Sequence, residues 1–160
     1  MKEQHTISYE VVDTSELSSS YQKLMEAAME ATDQAYAPYS KFYVGAALLL
    51  SNGEVVKASN KENASFPAGT CAERNALNYA SDHFPDQKIR AIAVSANSKE
   101  FEMSHAVAPC GICRQVICET EKVQETPIQI LMYSPAGKVI ILDRANDLLP
   151  FHFYVKELKK

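Results

Sequence analysis

PCGICRQVICET, residues 109–120, stands between two apolar, β-rich runs, IRAIAVS (89–95) and IQILMY (128–133). Read as a helix from Cys110 to Glu121, it makes the middle of the chain a strand–helix–strand unit. The same pattern holds one step upstream. EVVKAS (54–59) leads through a loop rich in Asn, Pro and Gly (60–70) to a helix over 71–82, and then to 89–95. Alternating strands and helices point to parallel pairing with right-handed crossovers.

Working outward, FYVGAALLL (42–50) and EVVKAS flank Ser51-Asn52-Gly53, and Asn-Gly is the strongest short hairpin signal. Glu16 to Ala37 reads as a helix, because Leu17, Tyr21, Leu24, Met25 and Ala28 recur at three- and four-residue spacing and Pro38 stops it. KVIIL (138–142) is a last strand, and the segment with DLLPFHF is expected to be partly helical. Residues 1–15 are polar and read as an irregular arm. The expectation is one domain over residues 1–160, a three-layer α/β/α sandwich around a mixed five-stranded sheet. Helices 71–82 and 110–121 would both begin at one edge of that sheet, where open α/β folds bind ligands.

Composition narrows the function. The chain has 160 residues, 46% of them apolar and 22% charged, which suits one soluble domain. No stretch reaches the ~20 apolar residues of a membrane helix, and the opening MKEQHTISYEVV has no leader-like apolar run. A cytoplasmic, reducing location is therefore expected, where structural disulfides are rare and cysteines serve metals or catalysis. A net charge of −4, with no Arg-rich run, argues against nucleic acid as a partner and favours a small molecule. The basic stretch KELKK (156–160) reads as a solvated tail.

Cys110 and Cys113 alone could be a redox pair, but that reading leaves TCAERNAL (70–77) unused. Adding Cys71 makes three thiolates, and zinc on three protein ligands keeps an open, catalytic position. A closed four-cysteine knot would need Cys118. On one helix Cys118 lies about 12 Å along the axis from Cys110 and about 7.5 Å from Cys113, too far for ligands at Zn–S ≈ 2.3 Å. Cys118 is expected in the core. None of the four histidines has ligand spacing, although His105 could stand on the rim of the site.

Glu73 would not chelate beside Cys71, because residues two apart do not share a helix face. In the first turn both side chains can still lean toward the N-terminus, so Glu73 could touch a water at the open metal position. The blander role is an acid complementing the helix dipole. Three thiolates leave a zinc centre at −1, and Arg74 and Arg114 are candidates to donate hydrogen bonds to the sulfurs.

C-A-E followed by P-C-x-x-C resembles the zinc deaminase signature, with cysteine in place of histidine. The flanks sharpen the likeness. AYAPYSKFYVGAALL (35–49), NKENASF (60–66), CAERNAL (71–77), PCGICRQV (109–116) and LLPFHF (148–153) resemble the cytidine deaminase family, in its small homotetrameric branch. The resemblance implies one Zn²⁺ per subunit on Cys71, Cys110 and Cys113, and hydrolytic deamination of cytidine and 2′-deoxycytidine in pyrimidine salvage. It implies that Glu73 carries a proton from water to the pyrimidine N3 and on to the departing ammonia. It further implies Asn60 and Glu62 on the ribose hydroxyls, Phe42 against the base, and backbone N–H groups near Ala72 on the pyrimidine O2. Phe153 would reach a neighbouring subunit's site in a homotetramer, and Gln115 would support the local fold.

Some positions depart from that pattern. Ser59 replaces a frequent cysteine, the 98–108 loop is longer than usual, and Phe151 and His152 replace smaller residues. These bear on substrate breadth. A deaminase of a modified cytosine nucleoside, blasticidin S-like, is the alternative inside the class. A non-catalytic zinc-stabilised module is the alternative outside it.

Overall fold

A computed structural model describes residues 1–154; the basic stretch 156–160 lies outside the described residues. Six strands form one sheet: β1 (Glu10–Asp13), β2 (Phe42–Leu50), β3 (Val55–Ser59), β4 (Ile89–Ser98), β5 (Gln129–Tyr133) and β6 (Lys138–Leu142). Their spatial order is β1-β6-β5-β4-β2-β3. Three helices cover it: α1 (Ser19–Ala31), α2 (Ala72–His83) and α3 (Gly111–Gln124). The expected layered α/β sandwich is present, with one strand more than the five read from the sequence.

The additional strand is β1. Residues 10–13, read as part of an irregular arm, pair antiparallel with β6 from Glu10↔Ile141 to Asp13↔Lys138. Lys138 Nζ bonds Asp13 Oδ2 at 2.8 Å across that pair. The parallel pairing is narrower than expected. Among the described strands only β4 and β5 pair in parallel, joined by α3; β3 and β4 run the same way but sit on either side of β2, which is antiparallel to both.

β2 shows how the sequence builds the layers. Val44, Leu48 and Leu50 belong to the core under α2 and α3, whereas Ala47 and Leu49 join the core under α1. Gly45 lets α1 approach: a Cβ there would stand 2.0 Å from the carbonyl of Ala28. The β2–β3 turn uses Gly53 at φ 89°, a left-handed value that favours glycine. Helix α1 stops six residues short of Ala37. Thr32 Oγ bonds the Met29 carbonyl at 2.7 Å, and residues 32–34 tighten into a 3₁₀ turn. Among the described residues no helix is long and apolar enough to cross a membrane.

Candidate active site

The site forms where three chain reversals meet at one sheet edge. Residues 36–41 and 60–70 are joined by backbone bonds from Tyr36 N–H to Asn60 O (3.0 Å) and from Glu62 N–H to Tyr36 O (2.8 Å), and the 60–70 loop is closed on itself by Lys61 and Thr70 (2.9 Å each way). This brings a cleft of about 500 Å³, lined by Tyr39, Ser40, Asn60, Glu62, Phe66 and Cys71 among others, to the start of α2.

Cys71 caps α2 and Cys110 caps α3, and neither helix start receives a side-chain capping bond. The first-turn N–H groups, that of Ala72 included, therefore lack a side-chain cap where the two helices converge. The Cys71 and Cys110 sulfurs are 3.9 Å apart, the Cys110 and Cys113 sulfurs 3.5 Å, and all three lie within 4.8 Å of one another. Tetrahedral zinc with Zn–S ≈ 2.3 Å would space its sulfurs by about 3.8 Å. The cluster has the right size for zinc.

Among the described residues no histidine or further cysteine joins a metal-ligating group. Cys118 is buried, its Sγ is 3.3 Å from the Ala145 carbonyl, and burial pushes its thiol up to about 11. The core role expected of it holds. His105 touches Ser104 and is exposed.

The thiols polarise one another. The neighbouring Cys113 thiol, then Cys110 and the Arg74 guanidinium, lower Cys71 to about 5. Cys113 is correspondingly raised by the neighbouring Cys71 and by burial. Glu73 is only 4% exposed, in the first turn of α2 and beside the Cys71 and Cys113 sulfurs. Burial, then the Cys71 charge, raise its carboxyl above the ordinary glutamate range. A carboxyl with raised proton affinity beside the thiols, two residues from a cysteine that lines the cleft, is placed for proton transfer.

The two arginines differ. Arg74 Nε is buried with no hydrogen-bond partner, while its Nη2 donates to the Gly69 carbonyl at 3.2 Å. Its charge lowers Cys71, while the hydrogen bond it makes goes to the Gly69 carbonyl rather than to a sulfur. Arg114 does not reach a sulfur. Its Nε donates to the Pro109 carbonyl (2.7 Å) and its Nη1 to the Leu148 carbonyl (3.0 Å). The backbone carbonyls before Cys110 and at Leu148 are closer acceptors, so Arg114 braces the loop that delivers the cysteine.

Asn60 clamps the start of β2, accepting from Val44 N–H (2.8 Å) and donating to the Phe42 carbonyl (3.0 Å); each end of the amide keeps one unused position. The Glu62 carboxylate accepts from Tyr39 N–H (2.9 Å), Ser40 N–H (3.3 Å) and the Ser40 hydroxyl, and the hydroxyl chiefly holds its carboxyl below the ordinary glutamate range. Sequence reasoning missed Tyr39 and Ser40, whose contacts cross 20-odd residues with no local signature. Lys41 sits between them and β2 at φ 54°. Phe153 is 68% exposed, and its backbone N–H and carbonyl both bond the Gln115 amide at 2.9 Å. Gln115 thus supports the local fold, as expected.

The zinc-binding region of the cytidine and deoxycytidylate deaminases matches residues 18–129, more than half of the chain. The chain belongs to this family. It is 46% identical over 98 residues to a cytidine deaminase of Halalkalibacterium halodurans, covering 61% of this chain and 70% of that one. It is 34% identical over 139 residues to a cytidine deaminase of Mycobacterium tuberculosis, covering 83% and 89%. The crystal structure of cytidine deaminase from Burkholderia pseudomallei superposes with a TM-score of 0.71 at 39% identity, over 83% of this chain and 98% of that one. A zinc-binding region is thus a property of the family, and Cys71, Cys110 and Cys113 form the group able to hold the ion.

Proposed function

We propose that the chain is a single-domain hydrolase converting cytidine and 2′-deoxycytidine, with water, to uridine and 2′-deoxyuridine, with release of ammonia. The observation that carries this is the position of Glu73, a buried carboxyl beside three thiols that fit zinc. Cys71, Cys110 and Cys113 would hold one Zn²⁺ per subunit, with the Arg74 guanidinium offsetting thiolate charge. Zinc on such a set supplies an acidified water and a Lewis acid. Glu73 takes up a proton, gives one to N3 so that C4 accepts oxygen, and delivers one to the departing amino group. Burial, which raises its affinity for protons, suits each of these steps.

The rest of the pocket positions the nucleoside. The Ala72 N–H, in the uncapped first turn of α2, binds the pyrimidine O2. Asn60 and Glu62 offer a neutral amide and a carboxylate to the ribose hydroxyls, and Phe42 lies against the base. Phe153, exposed on its own chain, serves a neighbouring subunit in a homotetramer. Four free cysteines, three of them in the site, suit a reducing cytoplasm and a place in pyrimidine salvage.

The test is the ultraviolet change when purified protein meets cytidine, run beside Glu73→Gln. Wild type should convert both nucleosides, and the variant should keep zinc while kcat falls roughly 10²–10⁴-fold. Zinc-loaded wild type that leaves both nucleosides intact would refute the substrate assignment.

A further inference from the structure

The loop after β4 does more than deliver Cys110. Phe101, three residues past the end of that strand, stacks on Phe42 with ring centroids 6.1 Å apart and planes 12° from parallel. Phe42 is tied to the cleft by its own backbone: its N–H donates to the Ser40 hydroxyl (3.1 Å) and its carbonyl accepts from Asn60 (3.0 Å), and both partners line the cleft. Alternation along β2 places Phe42 on the face of Val44 and Leu48, the side covered by α2 and α3. Phe101 is 51% exposed, and it also borders a second cavity of about 710 Å³ with Met29, Asn97, Met103 and Tyr133. Space lies beyond it on that side, so Phe42 is the surface to which the Phe101 ring is fitted.

We propose that Phe101 is a positioning residue for the substrate base: it backs the Phe42 ring, fixes its plane, and so presents a flat wall to the pyrimidine. This rests on the reading of Phe42 as the residue against the base. Aromatic stacking is sensitive to ring plane and offset, so a Phe42 ring free to turn would bind the base less well without altering the proton transfers at Glu73.

Steady-state kinetics on cytidine test this, with zinc content and melting temperature measured on each variant. Phe101→Ala should raise KM about 2–10-fold, the range of an aromatic pair, with kcat, zinc content and melting temperature little changed. Phe101→Tyr, which keeps the flat face, should restore KM. Phe101→Leu, apolar but not flat, should not. In a Phe42→Ala background Phe101→Ala should add nothing further. An unchanged KM in Phe101→Ala, rescue by leucine as complete as by tyrosine, or full additivity with Phe42→Ala would each overturn the proposal while leaving the deaminase reading intact. Wild type inactive on cytidine would overturn both.

Discussion

The two ends of α3 are treated in opposite ways. At its start, Cys110 caps the helix with no side-chain bond to the first turn, and the nearby Arg74 Nε is buried without a partner. Toward its end, Glu121 is equally hidden but saturated. Its carboxylate accepts from Ile128 N–H (2.8 Å), Ala145 N–H (2.7 Å) and Asn146 N–H (3.4 Å). Buried polar groups normally find partners, so the first end is where the fold keeps capacity for something other than itself. The second end is where the chain fastens helix, β5 and the 145–148 turn together. One pole is left for a ligand and the other is closed by the protein.

Replacing a cysteine at each pole is the strongest way to break that contrast. Cys113→Ser removes a thiol from the cluster and should weaken zinc binding by more than about 100-fold, beyond what loss of an outer partner costs. Cys118→Ser, one and a half turns on, should leave zinc content unchanged, because a serine hydroxyl can still donate to the Ala145 carbonyl. Elemental analysis of the two purified variants decides it. Loss of zinc from Cys118→Ser would show a closed structural knot and remove the open position on which catalysis depends.

Glu121→Gln tests the closed pole. The amide oxygen can still accept from Ile128 and Ala145, but the amide NH2 then faces the Asn146 N–H, so one donor loses its acceptor and meets another donor. Hydrogen bonds to charged groups contribute ~1.5–3 kcal/mol each, and a loss of about 3 kcal/mol should lower the melting temperature by roughly 6–12 °C. Zinc stoichiometry at the far end should hold. A melt unchanged within a degree or two would mean that the carboxylate does not fasten these elements.

The poles were not equally legible in the sequence. The open one announces itself, because cysteines at helix starts and Glu73 two residues on carry chemistry in their residue types and spacing. Glu121 carries none: a glutamate in an amphipathic helix reads as solvated, and its partners come from two separate places, Ile128 before β5 and Ala145 and Asn146 in the 145–148 turn. The same physics hid β1. EVVD has two apolar residues in a polar setting, and its strand character depends on β6, more than a hundred residues away. Arg114 departs from its expected place for a related reason, since nothing local says that the Leu148 carbonyl would be within reach. Local pattern exposed the hairpin, the helix starts and the three cysteines of the cluster. Groups satisfied by distant backbone were visible only once the chain was folded.

The smallest effect sharpens the contrast most, because it asks what the open pole costs. Glu73 is buried beside thiols, and its folded carboxyl holds its proton more tightly than an unfolded glutamate does. The stability from that protonation is therefore fully present below the ordinary glutamate range and lost as pH rises through the raised folded value. Above it, a charge is held among groups that disfavour it. Glu73→Gln removes the charge while keeping the shape, so at pH 8 the zinc-free variant should melt about 2–4 °C higher than zinc-free wild type, on the order of 1 kcal/mol. The gap should close as pH falls toward 4. Thermal melts of both proteins across that range measure it. A variant that melts lower than wild type at every pH would make Glu73 a structural acid like Glu121, and the open and closed poles would no longer differ in kind.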